Sequence, residues 1–175
     1  MIRNLFLLIL VLICFIVPLN TLKAENIVPS QADVYFAQQF YKVFRNFMDS
    51  NEKLVDNIQP ENAQTNEEAI CQYAQDRFVL TDTTINKLAS FRPTKTFTNS
   101  YDSLIFSLKK DSSLLQEAKG MCNKGVDYAI LEKFFKESFN TVEAEYDKTK
   151  NDFITTVKSW QQTYVDKVEE AYSSQ

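Results

Sequence analysis

Glycine and proline are unusually scarce in this chain, whose 175 residues contain two glycines and four prolines. Globular proteins ordinarily carry about 7% glycine and about 5% proline. Because these residues supply the backbone conformations of tight turns, their shortage predicts few turns and long regular elements. Apolar residues make up 45% of the chain, enough to build a sizeable core. Together with the chain length, this predicts one folded domain.

The first 24 residues differ in composition from the rest. Arg3 precedes an uninterrupted apolar run at 5–17, and a short polar segment ends at Ala24. This pattern is typical of a secretory signal peptide cleaved after Ala24. The apolar run falls short of the roughly 20 residues that span a bilayer, so a permanent anchor is the weaker alternative. We therefore expect a mature chain of residues 25–175, secreted or periplasmic, with no membrane span after cleavage.

Each proline and glycine of the mature chain marks a pause in a helical pattern. Pro29, Pro60, Pro93 and the pair Gly120 and Gly125 divide it into four segments. Within each segment apolar residues recur at the spacing of an amphipathic helix, and none alternates with the period of two typical of strands. The sequence predicts an all-α, up-and-down bundle of four main helices, the last unusually long or broken, with one disulfide.

Several residues mark the expected helix ends. Ser30 is predicted to cap the first helix, and Thr65 with Glu68 has the spacing of a capping box for the second. A run of β-branched residues at 81–85 is expected to loosen the second helix. The third helix is expected to end at Gly120, and Gly125 to reverse the chain before the fourth.

Two cysteines remain once the leader is removed, Cys71 and Cys122. An exported protein meets an oxidising environment, which favours their pairing. Antiparallel neighbours would bring the start of the second helix beside the end of the third, within reach of a disulfide. Closing this loop would stabilise the fold by an amount on the order of 4 kcal/mol. The alternative is two unrelated buried thiols.

The fourth segment, residues 126–172, contains neither proline nor glycine. A continuous helix of this length would reach about 70 Å, against roughly 33 to 45 Å for the others. Either it breaks in its polar middle at 145–152, or its end at 153–172 projects, or that end folds back as a kinked or fifth helix. A projecting end would expose a contact surface. The residues predicted to form that surface are Phe153, Val157, Trp160, Tyr164, Val168 and Tyr172.

The absence of histidine excludes several kinds of site. Ser-His-Asp and Cys-His catalysis, the usual zinc sites, histidine-ligated haem and di-iron bundles all need imidazole. We therefore expect no enzyme, no metal and no cofactor, with a pair of catalytic carboxylates as the minor alternative. The carboxylates lie among lysines and polar residues, as on solvated helix faces; they are Glu67, Glu68, Asp76, Glu132, Glu137, Glu143 and Glu145.

Charge and aromatic content bear on the partners. Removing Arg3 and Lys23 from the 19 basic residues leaves 17 against 23 acidic ones, a net charge of −6, so we expect no binding to nucleic acid. We predict a non-enzymatic protein that acts through protein–protein contact, including self-association through its last helix. The alternative is a carrier of a small apolar ligand in a cavity lined by aromatic residues of the first helix; these are Tyr35, Phe36, Phe40, Tyr41, Phe44 and Phe47.

Residues 85–115 resemble the helix, proline loop and helix unit of exported helical-bundle proteins. The resemblance covers under a fifth of the chain and implies no functional residue.

Overall fold

Helices dominate the computed structural model, which describes residues 27–56 and 66–173, the side chains of residues 172 and 173 excepted. Within these ranges the helices are α1 (Gln31–Asp56), α2 (Asn66–Ala89), α3 (Thr98–Asn123), α4 (Tyr128–Lys158) and α5 (Gln162–Ser173). The predicted all-α bundle of four main helices is confirmed, with a short helix after it. The predicted signal peptide at 1–24 and Thr65 of the predicted capping box lie outside the described residues.

Each main helix packs against the next one along the chain, which gives the predicted up-and-down order. Side chains also join the first helix to the last main one. The rings of Phe40 and Phe153 lie 4.9 Å apart and those of Phe47 and Tyr146 5.2 Å apart, measured between centroids. These contacts link α1 directly to α4 across the core.

The start of α1 is capped as predicted by Ser30. Its hydroxyl accepts a hydrogen bond from the backbone N–H of Asp33 at 3.1 Å and donates to the Asp33 carboxylate at 2.6 Å. Thr94, in the connection between α2 and α3, donates to the same carboxylate at 2.5 Å. The cap therefore also joins the start of α1 to a distant loop.

Two predictions, one about a helix end and one about a helix interior, were wrong. Gly120 does not close α3, which continues to Asn123 before the chain reverses at Gly125 with φ 64°. A Cβ at Gly120 would meet nothing within 4 Å, so no neighbouring group requires glycine at this position inside the helix. The run at 81–85 does not loosen α2 either. The hydroxyl of the buried Thr84 donates a hydrogen bond to the Leu80 carbonyl at 2.8 Å, a bond that helical geometry permits.

The long fourth segment breaks, but not in its polar middle. Residues 145–152 are helical because Tyr146 and Thr149 point into the core and anchor that stretch. The break lies at residues 159–161, after which α5 folds back along α1. Of the three predicted possibilities, the folded-back fifth helix is the one that the structure shows.

Aromatic side chains fill the larger part of the core. The ring of Phe36 contacts those of Phe40 and Phe97, and the ring of Phe153 contacts the same two. The centroid distances are 4.9 to 5.6 Å. Burying such a side chain stabilises the fold by about 1.5–3 kcal/mol. Near the turn between α3 and α4 a smaller cluster forms around Leu115 and Phe139.

Candidate functional site

The residues predicted to form an exposed contact surface are packed inside the protein instead. Phe153, Val157, Trp160 and Val168 each keep 5% or less of their surface exposed, and Tyr164 is half-buried. The side chain of Tyr172 lies outside the described residues. These residues are therefore covered: Phe153 and Val157 face the core from α4, and Val168 packs in the same cluster from α5.

The contact between α5 and α1 is that of a short amphipathic helix packed on an apolar face of α1. Val165 and Val168 of α5 belong to the same buried cluster as Val34 and Ala37 of α1. The Gln38 side chain donates to the backbone carbonyl of Lys167 at 2.8 Å. The opposite face of α5 is exposed and charged. We call the face of α1 around Val34, Ala37 and Gln38 the α1 groove.

The link between α4 and α5, residues 159–161, is hydrogen-bonded to Ile27. The N–H of Ile27 donates to the carbonyl of Ser159 at 3.3 Å, and the N–H of Gln161 donates to the carbonyl of Ile27 at 3.1 Å. Trp160, between these partners, packs edge-on against Phe97 with centroids 5.7 Å apart. The orientation of α5 therefore depends on a segment more than a hundred residues earlier.

The predicted disulfide between Cys71 and Cys122 is confirmed, with a Cα–Cα distance of 5.8 Å. Cys71 lies in the second turn of α2, and Cys122 lies in the last turn of α3 rather than in the connection after it. The bond is compatible with an oxidising, extracytoplasmic compartment.

A buried polar cluster in the middle of the bundle was missed by the reasoning from sequence. Arg77 of α2 and Asp111 of α3 are 1% and 0% exposed and form an ion pair, with Nη2 to Oδ1 at 3.2 Å and Nε to Oδ2 at 3.3 Å. Thr81 and Tyr146 donate their hydroxyls to the same Asp111 oxygen at 3.1 and 3.2 Å. Arg77 also donates to the Tyr73 hydroxyl at 2.6 Å. The cluster thus joins α2, α3 and α4.

Burial and charge act against each other in this cluster. Burial alone lowers the pKa of Arg77, but Tyr73 and Asp111 outweigh it and raise that pKa above its ordinary value. Burial raises the pKa of Asp111, while Arg77, Thr81 and Tyr146 oppose the shift. Burial raises the pKa of Tyr146 well above its ordinary value, and the Asp111 charge adds to this, so its hydroxyl stays a donor.

The signal for the cluster was present in the helical spacing. Arg77 follows Tyr73 by four residues and Ala74 by three, and Asp111 follows Leu108 by three and precedes Leu115 by four. Both charges therefore occupy core-facing positions on predicted neighbouring helices. Opposite charges at such positions indicate a buried pair, because an unpaired buried charge is too costly.

The carboxylates considered for catalysis lie mostly on the surface. Glu67 and Glu68 are exposed, and Glu145 is paired with Lys110 at 2.8 Å. Glu143 lies 4.0 Å from Arg77, and burial raises its pKa although its side chain is 56% exposed. Its nearest acidic partner across Arg77 is Asp111, which has no exposed area, so a substrate cannot reach both acids unless the helices separate.

A shallow groove of about 370 Å³ lies between the end of α1 and the middle of α2. It is lined by the apolar Leu54, Val79 and Leu80 together with the polar Ser50, Lys53, Asp76 and Thr83. The aromatic residues proposed to line a ligand cavity lie elsewhere: Phe36, Phe40, Phe44 and Phe47 are buried in the packed core, and Tyr35 is exposed.

Among the described residues, no cluster of three or more His, Cys, Asp or Glu side chains has the arrangement of a metal site. None of the described helices combines the length and apolar character needed to cross a membrane. Comparison with family models, with curated proteins and with solved structures gave no match to this chain.

Proposed function

We propose that this protein is an exported, non-enzymatic helical bundle that acts through protein–protein contact, and that the α1 groove is the contact site. The observation that carries the proposal is the packing of α5. A short amphipathic helix lies in the groove, with Val165 and Val168 buried and its charged face exposed. Recognition of an amphipathic helix by an apolar groove is a recurring mode of protein contact.

The core contacts support this function over the ligand carrier. A carrier needs internal space, and the phenylalanines that suggested it pack ring against ring in α1 and α4. A core filled by side chains has no room for a ligand, so binding of a partner is expected on the outer faces of the helices. The Arg77 and Asp111 charges are likewise satisfied by one another, which favours a structural role for them over catalysis.

Export is supported by the leader pattern at 1–24 and by the Cys71–Cys122 disulfide. N-terminal sequencing of the protein recovered outside the cytoplasm tests this part. The expected first residue is Glu25. Recovery of the protein only in the cytoplasm, with Met1 retained and both thiols free, would contradict it.

The role of the α1 groove is tested by displacing α5 from it in the full mature chain and then adding α5 as a separate peptide. Val168→Asp places a charge at a position that is 2% exposed, so α5 should leave the groove. A synthetic peptide of residues 159–173 is then titrated by calorimetry. We expect the wild-type peptide to bind and a peptide carrying the same substitution to bind at least about tenfold more weakly, a difference of about 1.4 kcal/mol.

Equal binding of the two peptides, or none by either, would contradict the proposal, provided that far-UV circular dichroism shows the variant still helical. If Val168→Asp unfolds the whole chain, Val168→Ala is used instead, which weakens the α5 contact without placing a charge in it. The wild-type peptide should then compete with the tethered α5 and bind this variant more tightly than it binds the unsubstituted chain; equal binding to both would contradict the proposal.

A further inference from the structure

The helix α5 is attached to the rest of the molecule in an unusual way. It packs mainly against α1, to which it is distant in sequence, and has few contacts with α4, to which it is joined. Residues 159–161 form its whole connection to α4. The helix α5 is therefore connected to its neighbour in sequence by a short link but binds mainly to a distant helix, as a separate peptide ligand would.

The link has no residue that prevents it from becoming helical. Residues 126–172 contain neither proline nor glycine, and Ser159 already has helical dihedral angles, φ −72° and ψ −12°. In a continuous helix Trp160, seven residues after Phe153, would lie about 20° from it around the axis, since each residue turns about 100°. Straightening would therefore keep Trp160 on the face that now points into the core.

Few backbone interactions hold the link in its bent form. Two hydrogen bonds with Ile27, at 3.3 and 3.1 Å, occupy the carbonyl of Ser159 and the N–H of Gln161. In a continuous helix the same groups would bond to residues four positions away. The bent and straight forms therefore satisfy the same backbone groups with different partners.

We infer that α5 is exchanged between two copies of this chain: α4 and α5 straighten into one helix, and each α5 occupies the α1 groove of the other copy. The inference rests on the proposed function, since it uses the same groove. Exchange reproduces the contacts of α5 with α1, including Gln38 with Lys167 and the burial of Val165 and Val168, and replaces the two hydrogen bonds with Ile27 by bonds within the straight helix. Such exchange is a low-cost route to a symmetric dimer, favoured by high protein concentration.

The test is a pair of substitutions at Gln162, the first residue of α5. Proline fits the first position of a helix, so Gln162→Pro is compatible with the closed monomer. It cannot lie inside a continuous helix, because it lacks the N–H and its ring clashes with the preceding turn. Gln162→Ala is the matched control: it loses the same side-chain bond to Asp166, at 2.8 Å, but favours a helix.

Light scattering after size exclusion measures the dimer fraction of the full mature chain at matched high concentrations. We expect the alanine variant to have at least ten times the dimer fraction of the proline variant, with the wild type between them. Isotope-filtered NMR on dimers of labelled and unlabelled copies should show contacts between Gln38 of one copy and Lys167 of the other. Equal dimer fractions in both variants, or monomer alone for the alanine variant, overturn the exchange.

The two proposals fail in different ways. If the peptide of residues 159–173 binds the vacated groove while the alanine variant stays monomeric, the groove accepts a helix but copies do not exchange theirs. If the peptide does not bind, the groove itself is not a contact site, and a dimer independent of the Gln162 substitutions would then have to form elsewhere.

Discussion

Two regions of this bundle are stabilised by different kinds of interaction. From the turn after α3 to the middle of the bundle, α2 and α3 are joined by the Cys71–Cys122 disulfide and by the sealed Arg77–Asp111 pair. In the other region, α5 is joined to α1 by an apolar contact, and the link before α5 is joined to Ile27 by two backbone hydrogen bonds. The comparison implies that α2 and α3 stay together until the whole bundle unfolds, whereas α5 can separate from α1.

The largest effect is expected from removing one member of the buried ion pair. Asp111→Ala leaves the Arg77 guanidinium buried without its counter-charge, which should lower the free energy of unfolding by about 3–5 kcal/mol. The double variant Arg77→Met with Asp111→Leu should recover part of this loss, since neither charge remains. Urea unfolding measures both.

A surface pair serves as the control for that experiment. Lys133 and Glu137 lie 3.9 Å apart with side chains 72% and 65% exposed, so Glu137→Ala should change stability by no more than about 0.5 kcal/mol. A loss from Asp111→Ala as small as that of Glu137→Ala would show that the buried pair does not join the helices as described.

Loss of the disulfide is expected to be the next largest effect. Replacing Cys71 and Cys122 by alanine opens a loop with a sequence separation of 51 residues. The expected loss is up to about 4 kcal/mol, because the unfolded chain gains freedom. Urea unfolding of this variant, beside the oxidised and reduced wild type, measures it. Reduction without any change in stability would contradict the account.

A smaller effect is expected at the α5 contact. Val168→Ala removes two buried methyl groups and should lower the unfolding free energy by about 2 kcal/mol if α5 unfolds with the rest. If α5 separates first, the global value falls by less. Glu169→Ala, the exposed neighbour, is the control and should be close to neutral. Thermal and urea unfolding of the two variants give the comparison.

The smallest effect concerns the cap of α1, beside the α5 contact. Hydrogen bonds from Ser30 and Thr94 outweigh burial and lower the pKa of Asp33 below its ordinary 3.8. The lowered pKa contributes stability that is present above pH 3.8 and is lost as the pH falls below it towards the pKa of the folded state.

Asp33→Asn should remove this acid dependence and cost about 1 kcal/mol or less near neutral pH. NMR titration of the Asp33 carboxyl, with urea unfolding across the acid range, checks both statements. An Asp33 pKa at or above 3.8 would contradict the expected direction.

Local sequence signals predicted much of this fold. The scarcity of glycine and proline predicted the long helices, and Ser30 predicted the cap of α1. The positions of Cys71 and Cys122 predicted the disulfide. Each of these depends on residues close in sequence or on antiparallel packing of consecutive helices. Such signals can be read without knowing the tertiary structure.

The features that escaped prediction depend on long-range contacts. The break at 159–161 contains no helix-breaking residue, and its hydrogen-bond partner Ile27 is distant in sequence, so no local pattern places it. For the same reason the stripe from Phe153 to Val168 could be recognised as apolar but not assigned to a surface or to the core. The polar cluster needed Arg77 and Asp111 to be considered together across two helices.

Native-state hydrogen exchange compares the two regions most directly, because it gives an opening free energy for each helix. We predict that the amides of α5 exchange through a local opening that needs less free energy than global unfolding, while the central amides of α2 and α3 exchange only when the whole bundle unfolds. If α5 is protected as strongly as α2 and α3, it does not separate from the α1 groove, and the central claim is contradicted.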